Sequence, residues 1–79
     1  MQIGCGVYVH LVRRRPYLYF WHYETKGRGR VQIKEYVGPA RLPRSLSEAA
    51  RRCDAYYARA AAELERLRIT TQSALRGAA

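Results

Sequence analysis

Between Arg15-Pro16 and Gly27 the chain reads Tyr17-Leu18-Tyr19-Phe20-Trp21-His22-Tyr23-Glu24-Thr25. A strand sends successive side chains to opposite faces. Tyr17, Tyr19, Trp21 and Tyr23 therefore share one face, and Leu18, Phe20 and His22 share the other. Few arrangements suit both sets at once. The first is a row of flat rings with polar tips, framed by Arg13-Arg14-Arg15 on one side and by Lys26, Arg28 and Arg30 on the other. Such a row fits stacking on bases or riboses with phosphates held at the rim, and it equally fits one side of a small core.

The neighbouring segments extend this strand into a sheet. Residues 5–13 alternate, with Cys5, Val7, Val9 and Leu11 on one side and Tyr8, His10 and Val12 on the other. Arg14-Arg15-Pro16 interrupts them, since proline marks a turn or strand edge. Lys26-Gly27-Arg28-Gly29-Arg30 reads as a hairpin loop in which glycine supplies positive φ. Val31 to Val37 forms a third strand, with Val31, Ile33 and Val37 on one face and Gln32, Lys34 and Tyr36 on the other. Two short connections imply an antiparallel meander. Its aliphatic face carries Val7, Val9, Leu11, Leu18, Phe20, Val31, Ile33 and Val37. Its aromatic-basic face carries Tyr8, His10, Tyr17, Tyr19, Trp21, Tyr23, Lys34 and Tyr36.

After a linker over 38–44 comes a helix over 45–69, with 70–79 as an extension or tail. Ser45-Leu46-Ser47-Glu48 has the form of a capping box. Leu46, Ala50, Cys53, Tyr57, Ala60, Leu64 and Leu67 recur at steps of four and three, an apolar seam for packing on the aliphatic sheet face. Glu48 and Arg52 make an i,i+4 pair in the favourable order, and Arg59 and Glu63 make the reverse. Ile69-Thr70-Thr71 lowers helix propensity by β-branching. From Leu46 to Arg68 the helix spans roughly 35 Å against about 27 Å for an eight-residue strand, so part of the seam overhangs the sheet. The expected fold is α+β: a three-stranded antiparallel meander packed on one long C-terminal helix, β-β-β-α, in a single small basic domain over 1–79.

Charge speaks to partners. Fifteen basic residues face six acidic ones, a formal +9, and all the basic residues except Lys26 and Lys34 are arginine. Arginine offers a planar fork that holds phosphate and stacks on rings. A polyanion is the first partner such an excess suggests. No apolar stretch approaches a membrane span, and the start Met1-Gln2-Ile3-Gly4-Cys5 lacks the form of a secretory signal, so a cytoplasmic location is expected. Cys5 and Cys53 lack metal-ligand spacing and read as two buried thiols, or as one disulfide between the first strand and the helix.

No catalytic set can be assembled. His10 and His22 fall on different faces with no third ligand, and the glutamates show no paired-carboxylate logic. Ser45 and Ser47 are used in capping. The expectation is a protein that is not an enzyme and needs no cofactor, metal or small-molecule substrate. The expected nucleic-acid-binding residues are Arg13, Arg14, Arg15, Tyr17, Tyr19, Trp21, Tyr23, Lys26, Arg28, Arg30, Lys34 and Tyr36. The arginine clusters fall at opposite ends of the sheet and would clamp a ligand from both edges.

Val7-Tyr8-Val9, then Arg15-Pro16-Tyr17-Leu18-Tyr19, a charged hairpin, and Lys34-Glu35-Tyr36-Val37-Gly38-Pro39 resemble a pattern in small archaeal proteins and at the N-termini of some transposases. In that pattern "GR-x-Y-Y-Y-L … K-x-Y-[IV]-G" precedes a helix, and Arg14 stands here where its glycine falls. The plan also resembles arm-type domains of tyrosine recombinases and plant AP2 domains, which lay a sheet on DNA. The resemblance covers about half the chain and implies nucleic-acid binding without recombinase or transposase activity. Three functions follow in order of expectation. The first is an accessory protein docked on structured RNA, in the manner of a small ribosomal protein. The second is a DNA-binding module, and the third is an adaptor that meets neighbouring proteins through the helix seam.

Overall fold

A computed structural model describes residues 4–78; residues 1–3 and 79, the ends of the expected 1–79 domain, lie outside the described residues. Strands β1 (Cys5–Val12), β2 (Arg15–Lys26) and β3 (Gly29–Pro39) form an open antiparallel sheet of order β1-β2-β3, and helix α1 (Pro43–Ala78) follows. The β-β-β-α meander-plus-helix is therefore the fold.

Both hairpins turn in two residues. Arg13 and Arg14 close the first between the paired Val12 and Arg15, at φ 51° and 66°. Positive φ at both central positions is the type I′ geometry, whose twist matches that of the flanking strands. The expected break at Arg14-Arg15-Pro16 is thus displaced: Arg15 and Pro16 belong to β2, and the Pro16 carbonyl accepts a hydrogen bond from Ala40 N at 3.0 Å. In the second hairpin only Gly27 (φ 60°) and Arg28 lie outside the strands, with Lys26 paired to Gly29. The register slips once. Leu18 pairs with Gly38 but Tyr19 with Tyr36, which leaves Val37 as an extra residue, a β-bulge.

The helix packs along β2 on the side of its even-numbered residues. Leu18 and Phe20 are each 4 % exposed and His22 6 %. The helix begins at Pro43, two residues before the expected start. Proline is pre-set for the first helical position and has no N–H to leave orphaned there. The expected capping box is accordingly not made. Ser45 lies inside the first turn, with its N–H on the Leu42 carbonyl. Glu48 instead accepts from Arg51 (2.9 Å) and Arg52 (3.0 Å), and their guanidinium groups hold its carboxyl down at about 2. Arg52 also reaches the Tyr36 carbonyl at 3.3 Å, so this cluster ties the helix to β3.

The buried stripe of α1 also differs from the expected seam. Ser45, Ala49 and Tyr56 are buried, whereas Leu46 and Tyr57 are half exposed and Leu64 and Leu67 are exposed. Both stripes have the same spacing and lie one residue apart. The choice between them falls to size and polarity. Leu18, Phe20 and His22 already fill the sheet surface, and small Ser45 and Ala49 let the helix approach. Tyr56 closes the far end: its hydroxyl donates to the Tyr23 carbonyl (3.1 Å) and accepts from Gly4 N–H (3.2 Å). Beside it, His22 is bonded through Nε2 to Glu35 at 2.6 Å; its Nδ1 lies 3.0 Å from Glu24 without the angle for a hydrogen bond.

Arg59, 3.5 Å from Glu24, marks the last ion pair between helix and sheet. Beyond it the helix overhangs, as its length suggested, and it continues through Ile69-Thr70-Thr71 to Ala78, so the segment after 69 is an extension of the helix and not a tail. Pairs Glu63–Arg66 and Glu65–Arg68 support that stretch, and the Thr70 hydroxyl turns back to donate to the Arg66 carbonyl.

Helix and sheet come close at Gly38, where a Cβ would collide with the Ser45 hydroxyl and stand 3.4 Å from the Ser45 Cβ. Gly38→Ala should destabilise the fold by about 1–3 kcal/mol in urea unfolding. Ser45→Ala, by removing the hydroxyl, should recover more than half of that loss in the double variant. Additive losses would place the strain elsewhere.

Candidate nucleic-acid interface

The odd-numbered residues of β2 point away from the helix. Register carries their face across the sheet: Tyr8 pairs with Tyr19, which pairs with Tyr36; His10 pairs with Tyr17; Gly6 with Trp21 and then Lys34; Tyr23 with Gln32. The aromatic-basic face is therefore assembled as its alternation predicted, with no element of the described residues covering it. Tyr17, Tyr19, Trp21 and Tyr23 are half-buried, packed against one another and against residues of β1 and β3 on the same face.

Two clusters form. In the first, Tyr8 and Tyr19 stack at 5.2 Å and 14°, Tyr36 meets Tyr19 edge-on at 5.6 Å, and Tyr17 and His10 flank them. In the second, Trp21 meets Tyr23 edge-on at 5.5 Å. The indole lies over Gly6, where a Cβ would come within 2.8 Å of three ring atoms. Glycine is required at this position because the ring occupies the side-chain space. Ring-to-ring packing fixes the side chains before any ligand arrives, which lowers the ordering cost of binding. Cations already sit on these rings: Arg30 lies 5.6 Å from the Tyr23 centroid and Lys34 5.9 Å from that of Tyr8.

The basic residues divide between the face and its ends. Arg15, Arg30 and Lys34 share the aromatic side. Arg13 and Arg14 form one hairpin tip and Arg28 the other, at opposite ends of the sheet; β2 separates them by about 36 Å at the usual rise per residue. Lys26, at the very tip of β2, belongs to the helix-side register and so departs from the aromatic face. Arg41 was not expected. It joins Arg15, Pro16, Tyr17 and Pro39 around an open depression of about 270 Å³ beside the first hairpin. The Ala40 bond to Pro16 brings it there, a contact with no local sequence signal. Tyr8 and His10 complete the aromatic face from β1.

All six acidic residues lie on the other side. Glu24 and Glu35 face the helix and pair with Arg59, His22 and Arg52, and Glu48, Asp54, Glu63 and Glu65 are on the helix itself. The carboxylates are thus confined to the helix side, whereas basic residues lie on both sides, seven of the arginines being on the helix. Among the described residues there is no group of three His, Cys, Asp or Glu side chains able to hold a metal, and no helix long and apolar enough to cross a membrane.

Gly6→Ala should lift the indole off β1. A red-shifted, more quenchable Trp21 fluorescence is expected, with about 1–3 kcal/mol of lost stability. An unchanged emission spectrum would contradict the packing of Trp21 on Gly6. Compared with known proteins, the chain matches no family model, no curated protein and no solved structure.

Proposed function

We propose that this chain is a non-enzymatic nucleic-acid-binding protein that docks on structured RNA through the uncovered sheet face. The observation that carries the reading is the segregation of charge: a face with several aromatic rings, Arg15, Arg30 and Lys34 has no carboxylate on it. Exposed aromatic surface of this extent is rare on a protein without a partner, and cations among rings suit sugar-phosphate chains with accessible bases. Tyr17, Tyr19, Trp21, Tyr23 and Tyr36 supply stacking or ribose contact, and Arg13, Arg14, Arg15, Lys26, Arg28, Arg30 and Lys34 supply phosphate contact from both ends.

Backbone strain at the first hairpin favours the same reading. Left-handed φ at two consecutive arginines is costly, and a type I′ turn is easily made with Asn-Gly. Arginine at both positions sacrifices stability, and strain of this kind gathers at functional sites.

These statements separate in one double variant. Arg13→Asn/Arg14→Gly should raise stability by about 1–2 kcal/mol because the strain is relieved. The same variant should weaken binding to a structured RNA and flatten the dependence of log K on log salt by about 1.5. Stronger folding with unchanged RNA affinity would remove the hairpin from the interface. Salt-steep binding to duplex DNA with sequence preference, and none to structured RNA, would replace the RNA reading with the DNA one.

A further inference from the structure

The two cysteines, 48 positions apart, are brought together under the helix. Cys5 opens β1 in the register opposite His22, on the helix side of the sheet. Cys53 lies one helical turn before Tyr56, whose hydroxyl is bonded to Gly4 N–H, the residue adjoining Cys5. Both thiols are free and half-buried, and Cys5 is near enough to raise the pKa of the Cys53 thiol. Two oxidisable sulfurs from the first strand and the middle of the helix therefore already face each other.

We propose that Cys5 and Cys53 form a modification site, at which exchange with a small-molecule disulfide such as oxidised glutathione closes an intramolecular disulfide between β1 and α1. One protein thiolate attacks the small disulfide, giving a mixed disulfide and one released thiol. The second protein sulfur then displaces the other small thiol and closes the bond. Two protein thiols are oxidised, one disulfide is reduced to two small thiols, and the protons leave on those products.

The position of the crosslink gives it an effect. It would enclose both hairpins in a single loop, which is the condition for a large constraint on the unfolded chain. The reduced fold needs such support. Its helix-to-sheet contact is narrow, no side chain among the described residues is completely shielded from solvent, and Val9 and Leu11 of β1 remain more than half exposed. A staple at Cys5 would hold the strand that the helix covers least. Burial and the contact with Cys5 push the Cys53 thiol up to about 11, so closure should quicken as pH rises toward that value.

The test uses the whole chain, reduced and then equilibrated with oxidised glutathione under native conditions. A mass loss of about 2 Da, a Cys5–Cys53 peptide link and a rise in melting temperature of at least about 10 °C are expected. Cys5→Ser and Cys53→Ser should each take one glutathione and show no such rise. Stable adducts at both cysteines, a disulfide between chains, or closure without a change in melting temperature would each overturn the proposal.

Discussion

One helix can cover only one face of a three-stranded sheet. This constraint organises the whole molecule, because the chain supplies three strands and a single helix to pack on them. Strand β2 lies in the middle and its alternation decides which face is covered. Leu18, Phe20 and His22 go under the helix, and Tyr17, Tyr19, Trp21 and Tyr23 are left outside. A slip of one residue would bury the tyrosines and expose the core. Everything proposed about binding depends on that register.

The covered side is a mixture of close approach and polar ties rather than a thick apolar core. Ser45 settles against Gly38, Ala49 is buried one turn on, Tyr56 satisfies backbone groups of Gly4 and Tyr23, and Arg52 and Arg59 pair with the glutamates of β3 and β2. These ties consume the acidic side chains of the sheet. The consequence reaches the opposite face, where arginine and lysine are left among the rings with no carboxylate to neutralise them. Core construction and surface charge are two results of one arrangement.

The sequence made some of this plain and concealed the rest. Period-two alternation marked all three strands and assigned the two faces, since the aromatic and aliphatic sets differ in chemistry as well as position. Short connections marked the antiparallel order. The helix contact was not legible, because Ser45-Ala49-Tyr56 and Leu46-Ala50-Tyr57 share one spacing and the second is the more apolar. Only the bulk of the sheet surface and the hydrogen bonds of Tyr56 decide between them. The helix start was misread for a related reason: Pro43 and Ser45 both carry N-terminal signals, and Gly38 draws Ser45 into the packed turn. Arg41 reached the first hairpin through a backbone bond to Pro16 that no local pattern encodes.

The central claim is that a ligand meets the uncovered face and leaves the helix side alone. Aromatic carbon-bound proton shifts followed by NMR during titration with a structured RNA test it most directly. The account predicts movement of Tyr8, Tyr17, Tyr19, Trp21, Tyr23 and Tyr36, with Phe20, Tyr56 and Tyr57 unmoved. Shifts concentrated on Tyr56 and Tyr57, with the outer rings still, would contradict it.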